Sequence, residues 1–280
     1  MIHEGRVSAA EFLRSHGIRP RHRLGQNFLE DPSALAQIAS AADIQSDDTV
    51  LEIGCGFGSL TALLATVAAR VIAVEVDGRL LALASEYLRG VGNVDLVHGD
   101  ILQLRPASLG LTPAYVAAAN IPYYVTSPII RHLLESTPKP RRLVLTIQEE
   151  VARRACASPP QMSMLSLSVQ VYGSAEVVAA IPPQAFYPAP KVNSAVLRIE
   201  AYDSPVVPSN RLPILFRIAK ACFMHRRKML RNSLAQGLHI SADEASGVLA
   251  RAGIEPTRRP QTLSIAEWDA LSQAAEAKRT

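Results

Sequence analysis

Short apolar runs alternate with segments of helical periodicity over the first 200 residues of the chain. Apolar runs bounded by glycine and polar residues are typical of strands buried on both faces. They predict strands at 49–53, 71–75, 94–97, 115–119, 143–147, 175–181 and 192–199, and helices at 59–69, 79–88 and 128–135. Strands that alternate with helices predict a mostly parallel sheet covered by helices on both faces.

The pattern changes at 203–210, a turn-rich segment with two prolines, and beyond it only helical periodicity continues. We therefore predict an α/β fold, with a Rossmann-like, mostly parallel sheet of seven strands and a small all-helical C-terminal domain. The predicted boundaries are 1–204 and 205–280. A length of 280 residues suits one large or two modest domains.

Composition excludes several classes of protein. A hydrophobic content of 48% with 19% charged residues excludes intrinsic disorder. The three cysteines form no CxxC pair, which argues against a disulfide framework or a zinc ribbon, so we expect a reducing compartment and no metal. The two long stretches without charged residues, 106–130 and 155–175, contain prolines and polar residues, and the first 15 residues lack an apolar run. We expect no membrane span, no signal peptide and a cytoplasmic location.

The net charge of +4 names no partner, but its distribution is uneven. Residues 204–242 contain no acidic side chain and seven basic ones: Arg211, Arg217, Lys220, Arg226, Arg227, Lys228 and Arg231. Solvated surfaces normally mix both signs. A one-signed cluster instead indicates contact with phosphates, so we expect the helical domain to bind nucleic acid.

A glycine-rich loop follows the first predicted strand and contains Gly54 and Gly56. Such a loop lets the backbone approach a ligand closely, although a strand-to-helix turn needs glycine in any case. Glu75 ends the second predicted strand, 21 positions after Gly54, where an acidic residue suits ribose hydroxyls. The loop and Glu75 together predict a nucleoside cofactor.

The spacing of the glycines separates two cofactor classes. Ser59 breaks the GxGxxG/A fingerprint of dinucleotide-binding proteins. The GxGxG loop, opened by Glu52, resembles motif I of class I S-adenosylmethionine-dependent methyltransferases. In that family an acid after the third strand, here Asp100 followed by Ile101, binds the cofactor adenine. A turn or helix-cap aspartate is the alternative role for Asp100.

Asn120-Ile-Pro122-Tyr123 follows the fourth predicted strand. An asparagine side chain and the carbonyl before a proline can both accept hydrogen bonds from one amine, proline stiffens the loop, and tyrosine offers a face for stacking a base. A plain turn is the alternative. The segment resembles the NxPY motif of methyltransferases that act on exocyclic amines.

From about residue 20 to 271 the chain resembles the KsgA/RsmA family of small-subunit ribosomal RNA adenine dimethyltransferases. The resemblance is carried by 24–29 (LGQNFL), 148–154 (QEEVARR), 183–196 (PQAFYPAPKVNSAV) and 223–234 (FMHRRKMLRNSL). It implies that Asn27 and Leu29 contact the methionine end of the cofactor. It also implies that Phe186 lies against the target adenine, with a core position as an equal alternative.

The resemblance implies transfer of methyl groups from S-adenosyl-L-methionine to two adjacent adenosines of 16S ribosomal RNA, giving N6,N6-dimethyladenosine. The expected catalytic residues are Asn120, Pro122, Tyr123 and Phe186. The expected cofactor-binding residues are Asn27, Leu29, Gly54, Gly56, Glu75, Asp100, Ile101 and Asn120. The expected RNA-binding residues are Arg226, Arg227, Lys228 and Arg231. The expected partner is the immature 30S subunit, and we expect a monomer.

Two alternatives share most of these motifs. The Erm class of 23S ribosomal RNA methyltransferases, which confer macrolide resistance, has both GxGxG and NxPY. The 226–234 run and the longer helical tail favour the small-subunit enzyme. A non-catalytic RNA-binding assembly or transcription factor on this fold is disfavoured, because the chain keeps Gly54, Glu75, Asp100 and Asn120.

Overall fold

The computed structural model describes residues 8–276, and the chain packs into two compact units. The first comprises Met1–Ala152 and Ala175–Ala201, and the second comprises Arg153–Ser174 and Tyr202–Thr280. The expected single boundary at 204/205 therefore does not describe residues 153–174, which precede that boundary but belong to the second unit. Arg153–Ser174 groups with the C-terminal helices, because the Met162 N–H donates to the Gln261 carbonyl (3.0 Å) and the Tyr172 ring stacks on Phe216.

Within residues 8–276, nine strands form two sheets. They are β1 (Phe28–Leu29), β2 (Thr49–Ile53), β3 (Arg70–Glu75), β4 (Val94–His98), β5 (Val116–Asn120), β6 (Arg142–Gln148), β7 (Gly173–Ile181), β8 (Phe186–Tyr187) and β9 (Ser194–Ala201). The larger sheet has the order β4-β3-β2-β5-β6-β9-β7. The ladders from β4 to β6 are parallel and β9 is antiparallel to β6, which confirms the predicted mostly parallel sheet of seven strands.

The strand order reverses direction at β2. The chain adds β3 and β4 on one side of β2, and then returns to add β5 on the other side. In an open parallel sheet, the helices on the two sides of such a point diverge and leave a crevice at the carboxyl ends of the strands. The residues that follow β2, β3 and β5 therefore meet at one edge.

Helices cover the sheet of the first unit. They are α1 (Ala9–Ser15), α2 (Pro32–Ala42), α3 (Ser59–Leu64), α4 (Gly78–Tyr87), α5 (Thr126–Glu135) and α6 (Glu149–Ala155), of which α6 extends into the second unit. Asp31 caps α2, accepting from the Ala34 N–H (2.8 Å) ahead of Pro32. Helix α3 ends five residues before its predicted end. The Thr66 hydroxyl donates to the Leu63 carbonyl (2.6 Å), a local bond that competes with helix propagation.

The smaller sheet pairs two segments that are distant in sequence. Strand β1 is antiparallel to β8, with Phe28 opposite Tyr187 and Leu29 opposite Phe186. Each strand has only two residues, too few for an alternating pattern, so the sequence did not predict this ladder. The ladder attaches the segment before α2 to the segment before β9.

Apart from Gly173 and Ser174, which begin β7, the regular segments of the second unit among the described residues are helices. They are α7 (Met164–Gln170), α8 (Leu212–Met224), α9 (Leu230–Leu238), α10 (Ala242–Arg251) and α11 (Ile265–Glu276). Trp268 is fully buried among them, with its ring 5.4 Å from that of Phe223. The all-helical character predicted for the C-terminal region is confirmed. Helix α7 was not predicted, because serines interrupt its short apolar pattern.

Helices α8 and α9 approach each other closely at one glycine. A Cβ placed on Gly237 of α9 would lie 2.3 Å from the Cβ of Ala221 in α8, closer than atoms can approach. Glycine in a helix interior ordinarily costs up to about 1 kcal/mol relative to alanine. Here the missing side chain is what permits the two helices to pack.

We expect Gly237→Ala to lower the free energy of unfolding by about 1–3 kcal/mol, because the overpacking outweighs the gain in helix propensity. Gly247→Ala in α10 is the matched control, since a Cβ there meets only the end of the Arg251 side chain at 3.8 Å. That variant should be more stable by about 0.5–1 kcal/mol. Chemical denaturation measures both, and an unchanged or stabilised Gly237→Ala protein would contradict the close approach.

Candidate functional site

A cavity of about 320 Å³ opens at the carboxyl ends of β2, β3 and β5. Its wall also includes 24–29, the segment ahead of α2. The cavity brings together these residues expected to bind the cofactor or the target base: Asn27, Leu29, Gly54, Gly56, Glu75, Asp100, Ile101, Asn120, Pro122 and Tyr123. Only Phe186 and the basic cluster of the second unit are absent from this lining.

The glycine loop wraps one side of the cavity in a conformation that requires glycine. Gly54 and Gly56 have φ values of 72° and 60°, in the left-handed region. A Cβ on Gly56 would also lie 3.3 Å from the Phe28 ring. The loop therefore meets the 24–29 segment directly and leaves space on its other side.

Glu75 is 6% exposed and holds two pieces of backbone. Its Oε2 accepts from the Gly56 N–H and its Oε1 accepts from the Asp77 N–H, both at 2.9 Å. Burial raises the pKa of Glu75 above its usual value, while these hydrogen bonds act in the opposite direction. Each oxygen keeps a second lone pair, so the carboxylate can still accept from ligand hydroxyls.

Glu52 is a second acid in the wall, and it is 1% exposed. Its Oε2 and the buried hydroxyl of Thr61 have no hydrogen-bond partner among the described residues. Burial raises the pKa of Glu52 to about 8, and the nearby Glu75 charge adds to the increase. The sequence singled out Glu52 only as the start of the glycine motif.

Asp100 and Ile101 occupy the rim of the cavity after β4. Asp100 is exposed and its Oδ1 accepts from the Leu102 N–H (3.0 Å), so it caps a single 3₁₀ turn, Ile101–Gln103. Ile101 is 4% exposed and presents an apolar surface to the cavity. The capping role therefore coexists with a position from which the other carboxylate oxygen is available to a ligand.

The Asn120–Tyr123 loop is tied to two other motifs. The Asn120 side-chain N–H donates to the Asn27 carbonyl (3.0 Å), which fixes the side-chain amide and leaves its oxygen as an acceptor. The Tyr123 hydroxyl shares a hydrogen bond of 2.7 Å with the Ser194 hydroxyl at the start of β9. Three segments that looked separate in the sequence therefore form one constellation.

Phe186 does not reach the cavity. It is 3% exposed and packs in the hydrophobic core beneath α2, paired through β8 with Leu29. Of the two roles considered for it, this geometry supports the core aromatic that anchors the 183–194 loop. Placing its ring against a target base would require the ring to leave the core.

Asp77 is a supporting residue that the sequence missed: it does not line the cavity itself, but it binds a residue that does. It is 3% exposed, accepts from Arg79 Nη2 (2.7 Å) and Gln26 Nε2 (3.1 Å), and forms an ion pair with Arg21 (3.5 Å). The bonds from Arg79 lower the pKa of Asp77 to about 2. Asp77 thus holds the 24–29 segment over the cavity. Its position two residues after Glu75 was the available signal.

The basic cluster lies in the second unit, in the turn between α8 and α9. Arg226, Arg227 and Lys228 are exposed, and Lys228 Nζ donates to Gln236 Oε1 (2.7 Å). Arg231 is half-buried in the first turn of α9. The cluster therefore occupies a turn and a helix start, and its contact with RNA stays a prediction.

Comparison with known proteins assigns the chain to a family. The profile of the family described as "Ribosomal RNA adenine dimethylase" matches residues 17–271. The chain belongs to this family. A relative from Dehalococcoides mccartyi named "Ribosomal RNA small subunit methyltransferase A" is 41% identical over 95% of this chain and 91% of its own length. One of the same name from Pelotomaculum thermopropionicum is 40% identical over 94% of each chain.

Solved structures agree with the adenine dimethylase family assignment. A dimethyladenosine transferase from Plasmodium falciparum matches 90% of this chain and 98% of its own, with a TM-score of 0.76 and 25% identity. The 23S rRNA methyltransferase ErmE matches 89% of this chain and 100% of its own, with a TM-score of 0.70 and 28% identity.

Dimethylases of this family use S-adenosylmethionine, and the cavity fits that cofactor electrostatically. Three acids, Glu52, Glu75 and Asp100, line it, whereas no described lining residue is Lys, Arg or His. Such a wall favours a cationic ligand and disfavours the pyrophosphate of a dinucleotide. Among residues 8–276, no helix is long and apolar enough to span a membrane, and no group of three or more His, Cys, Asp or Glu side chains could hold a metal ion.

We expect the Glu52→Gln protein to gain stability relative to the wild type as the pH rises. A folded-state pKa of about 8, above the usual 4.5, means that the wild type loses stability between these values. The difference in unfolding free energy should grow by on the order of 4 kcal/mol from pH 5 to pH 9. Denaturation at both pH values measures it, with the exposed Asp47→Asn as control; a pH-independent difference would refute the buried acid.

We expect Asp77→Asn to weaken cofactor binding about tenfold, because it removes charge-assisted hydrogen bonds that hold the 24–29 segment. Calorimetric titration with S-adenosylhomocysteine measures the dissociation constant. Asp95→Asn is the matched control, since Asp95 also pairs with an arginine, Arg70, but is exposed and makes no hydrogen bond to the 24–29 segment. Equal affinities of the two variants would show that Asp77 does not position the segment.

Proposed function

We propose that this protein transfers methyl groups from S-adenosylmethionine to the exocyclic amines of two adjacent adenosines in 16S ribosomal RNA, giving N6,N6-dimethyladenosine during ribosome biogenesis. The observation that carries the proposal is the fixed Asn120 amide beside an acidic cavity, in a chain of the adenine dimethylase family. Relatives about 40% identical over nearly the whole chain bear the name of small-subunit methyltransferases.

The loop after β5 can position the target amine. The Asn120 side-chain oxygen and the Ile121 carbonyl are two acceptors for the amine hydrogens, and accepting both favours a localised lone pair on the nitrogen. Pro122 removes a competing N–H and stiffens the loop. The Tyr123 ring lines the cavity and offers a stacking surface worth about 1–3 kcal/mol. Positioning of this kind accelerates a reaction without a dedicated base.

The remaining wall residues hold the cofactor, which supplies an activated methyl group on its sulfonium. Glu75 would accept from the ribose hydroxyls and Asp100 from the adenine amine. Asn27, Leu29 and the Gly54–Gly56 backbone would enclose the methionine end, and Ile101 would pack on the adenine. These roles are the ones that the family resemblance implies, and the presence of each residue in the cavity lining supports them.

The partner we propose is the immature 30S subunit, bound in the cytoplasm by a monomer. Arg226, Arg227, Lys228 and Arg231 would contact phosphates, which gives the residues after 204 the role of an RNA-binding domain. The exposure of the first three supports this role.

The Erm-type reaction on 23S RNA is the second candidate function, and the structural match to ErmE is the observation that favours it. Identity of 28% to ErmE, against 40–41% to the small-subunit enzymes, favours the small-subunit substrate. A non-catalytic role is disfavoured, because one cavity is lined by the residues expected to hold the cofactor and the target amine.

We expect Asn120→Ala to lower methylation about a hundredfold or more while the protein stays folded, because the amine loses its positioned acceptor. Tritiated S-adenosylmethionine and immature small subunits measure the rate, and mass mapping of the RNA locates the methyl groups. Asn210→Ala, at an exposed position, is the control. Wild-type turnover by Asn120→Ala would refute the mechanism, and methylation of naked 23S RNA alone would establish the Erm-type reaction instead.

A further inference from the structure

Tyr124 is an exposed aromatic residue at the mouth of the cavity. It is 63% exposed, more than any other aromatic residue in the described part of the chain, and it lines the cavity rim. A tyrosine this exposed buries little apolar surface on folding and therefore contributes little to the stability of the core. Its exposure therefore calls for a role outside the folding of the chain.

One side of the ring lies close to the chain at Gly25. A Cβ on Gly25 would lie 3.4 Å from Cε1 of Tyr124 and 3.1 Å from Cβ of Pro122. Gly25 has a φ of 61°, so the turn at this position favours glycine for its backbone as well as for its size. One edge of the Tyr124 ring thus abuts the chain before β1, while most of the ring faces solvent.

The neighbouring tyrosine already occupies the inner position. Tyr123 is half-buried, and its hydroxyl is bonded to Ser194. Two consecutive aromatic residues therefore offer one ring inside the cavity and one outside it. When one base of an RNA strand enters the cavity, the adjacent nucleotide stays outside it, beside the ring of Tyr124.

Two exposed cations lie on the segments that abut these tyrosines. Arg23 is two residues before Gly25, and Lys191 is three residues before Ser194. Neither has an acidic partner within ion-pair distance among residues 8–276. An aromatic surface accompanied by unpaired cations is the combination by which proteins bind single-stranded nucleic acid.

We propose that Tyr124 stacks on the nucleotide adjacent to the target adenosine, while Arg23 and Lys191 contact the phosphates of the same strand. The site deepens the function proposed above and rests on it. Tyr124 acts as a positioning residue: it holds the strand so that the neighbouring base enters the cavity. Tyr123 and Asn120 keep their contacts with the target itself.

The test compares the Michaelis constant of Tyr124 variants for immature small subunits. Removing a base–aromatic stack costs about 1–3 kcal/mol, so Tyr124→Ala should raise KM about five- to 150-fold. Tyr124→Phe keeps the ring and should stay within about twofold of the wild type, as should Tyr202→Ala, a control at another exposed tyrosine. The dissociation constant for S-adenosylhomocysteine should not change in any of them.

The decisive comparison uses subunits assembled with a uridine in place of the adenosine adjacent to the target. Because a pyrimidine stacks less strongly, the effect of Tyr124→Ala on KM should shrink several-fold on these subunits. Equal effects on both substrates, or a Tyr124→Ala KM within about twofold of the wild type, would overturn the proposal. Methylation of unmodified subunits by the wild type reports separately on the proposed function, and its absence would remove both.

The two cations are tested by salt dependence. Arg23→Gln and Lys191→Gln should each reduce the slope of log KM against log salt concentration by about 0.7, the value for one phosphate contact on a single strand. Arg89→Gln is the control, at an exposed arginine that lies on neither of the segments that contain Arg23 and Lys191. An unchanged slope in both cation variants would show that Arg23 and Lys191 do not contact phosphates. Only the stacking on Tyr124 would then remain of the proposal.

Discussion

The carboxylate of Glu75 accepts hydrogen bonds from the backbone N–H groups of Gly56 and Asp77, and the cavity depends on this pair of bonds. One bond holds the glycine loop after β2, and the other holds the turn that begins α4. Asp77 then accepts from Gln26, so the segment ahead of α2 is attached to the same point. The cavity wall is therefore a single hydrogen-bonded assembly that begins at the end of β3. Any change at Glu75 would affect both the ligand and the loops that surround it.

The same wall carries an electrostatic cost. Glu52 and Glu75 are buried near each other, and no basic side chain among the described residues lines the cavity. Isolating a carboxylate oxygen such as Glu52 Oε2 from water without a partner destabilises a protein, whereas two backbone hydrogen bonds compensate part of that cost at Glu75. A cationic ligand relieves the penalty. Stability is thus sacrificed at the position where charge selectivity is needed, as is common in binding sites. Asp77 differs from Glu52 and Glu75 because it pairs with Arg79 and Arg21, and the bonds from Arg79 lower its pKa and keep it ionised.

How much could be foreseen depends on whether a feature is local in sequence. The strands of the larger sheet were predicted to within two residues at each end. Burial on both faces leaves continuous apolar runs in the central strands, and the edge strands β4 and β7 keep apolar residues although they are more exposed. Glu75 and Asn120 were identified because strand ends in a parallel sheet share an edge. The bonds from Gln26 to Asp77 and from Tyr123 to Ser194 join distant segments, and no local pattern encodes such pairings. Phe186 shows a related limit, since its motif specifies an aromatic ring without specifying the face it presents.

The two-residue ladder between β1 and β8 has a consequence for the order in which the protein becomes functional. Its strands are about 160 residues apart, and Leu29, which it holds, forms part of the cavity wall. Contacts between such distant segments form late, because the intervening chain must first lose its freedom. During synthesis, residues 24–29 leave the ribosome long before residues 186–187 exist to pair with them. The part of the wall that contains Leu29 is therefore completed only when nearly the whole first unit has been made, later than the contacts of Gln26 with Asp77 and of Asn27 with Asn120.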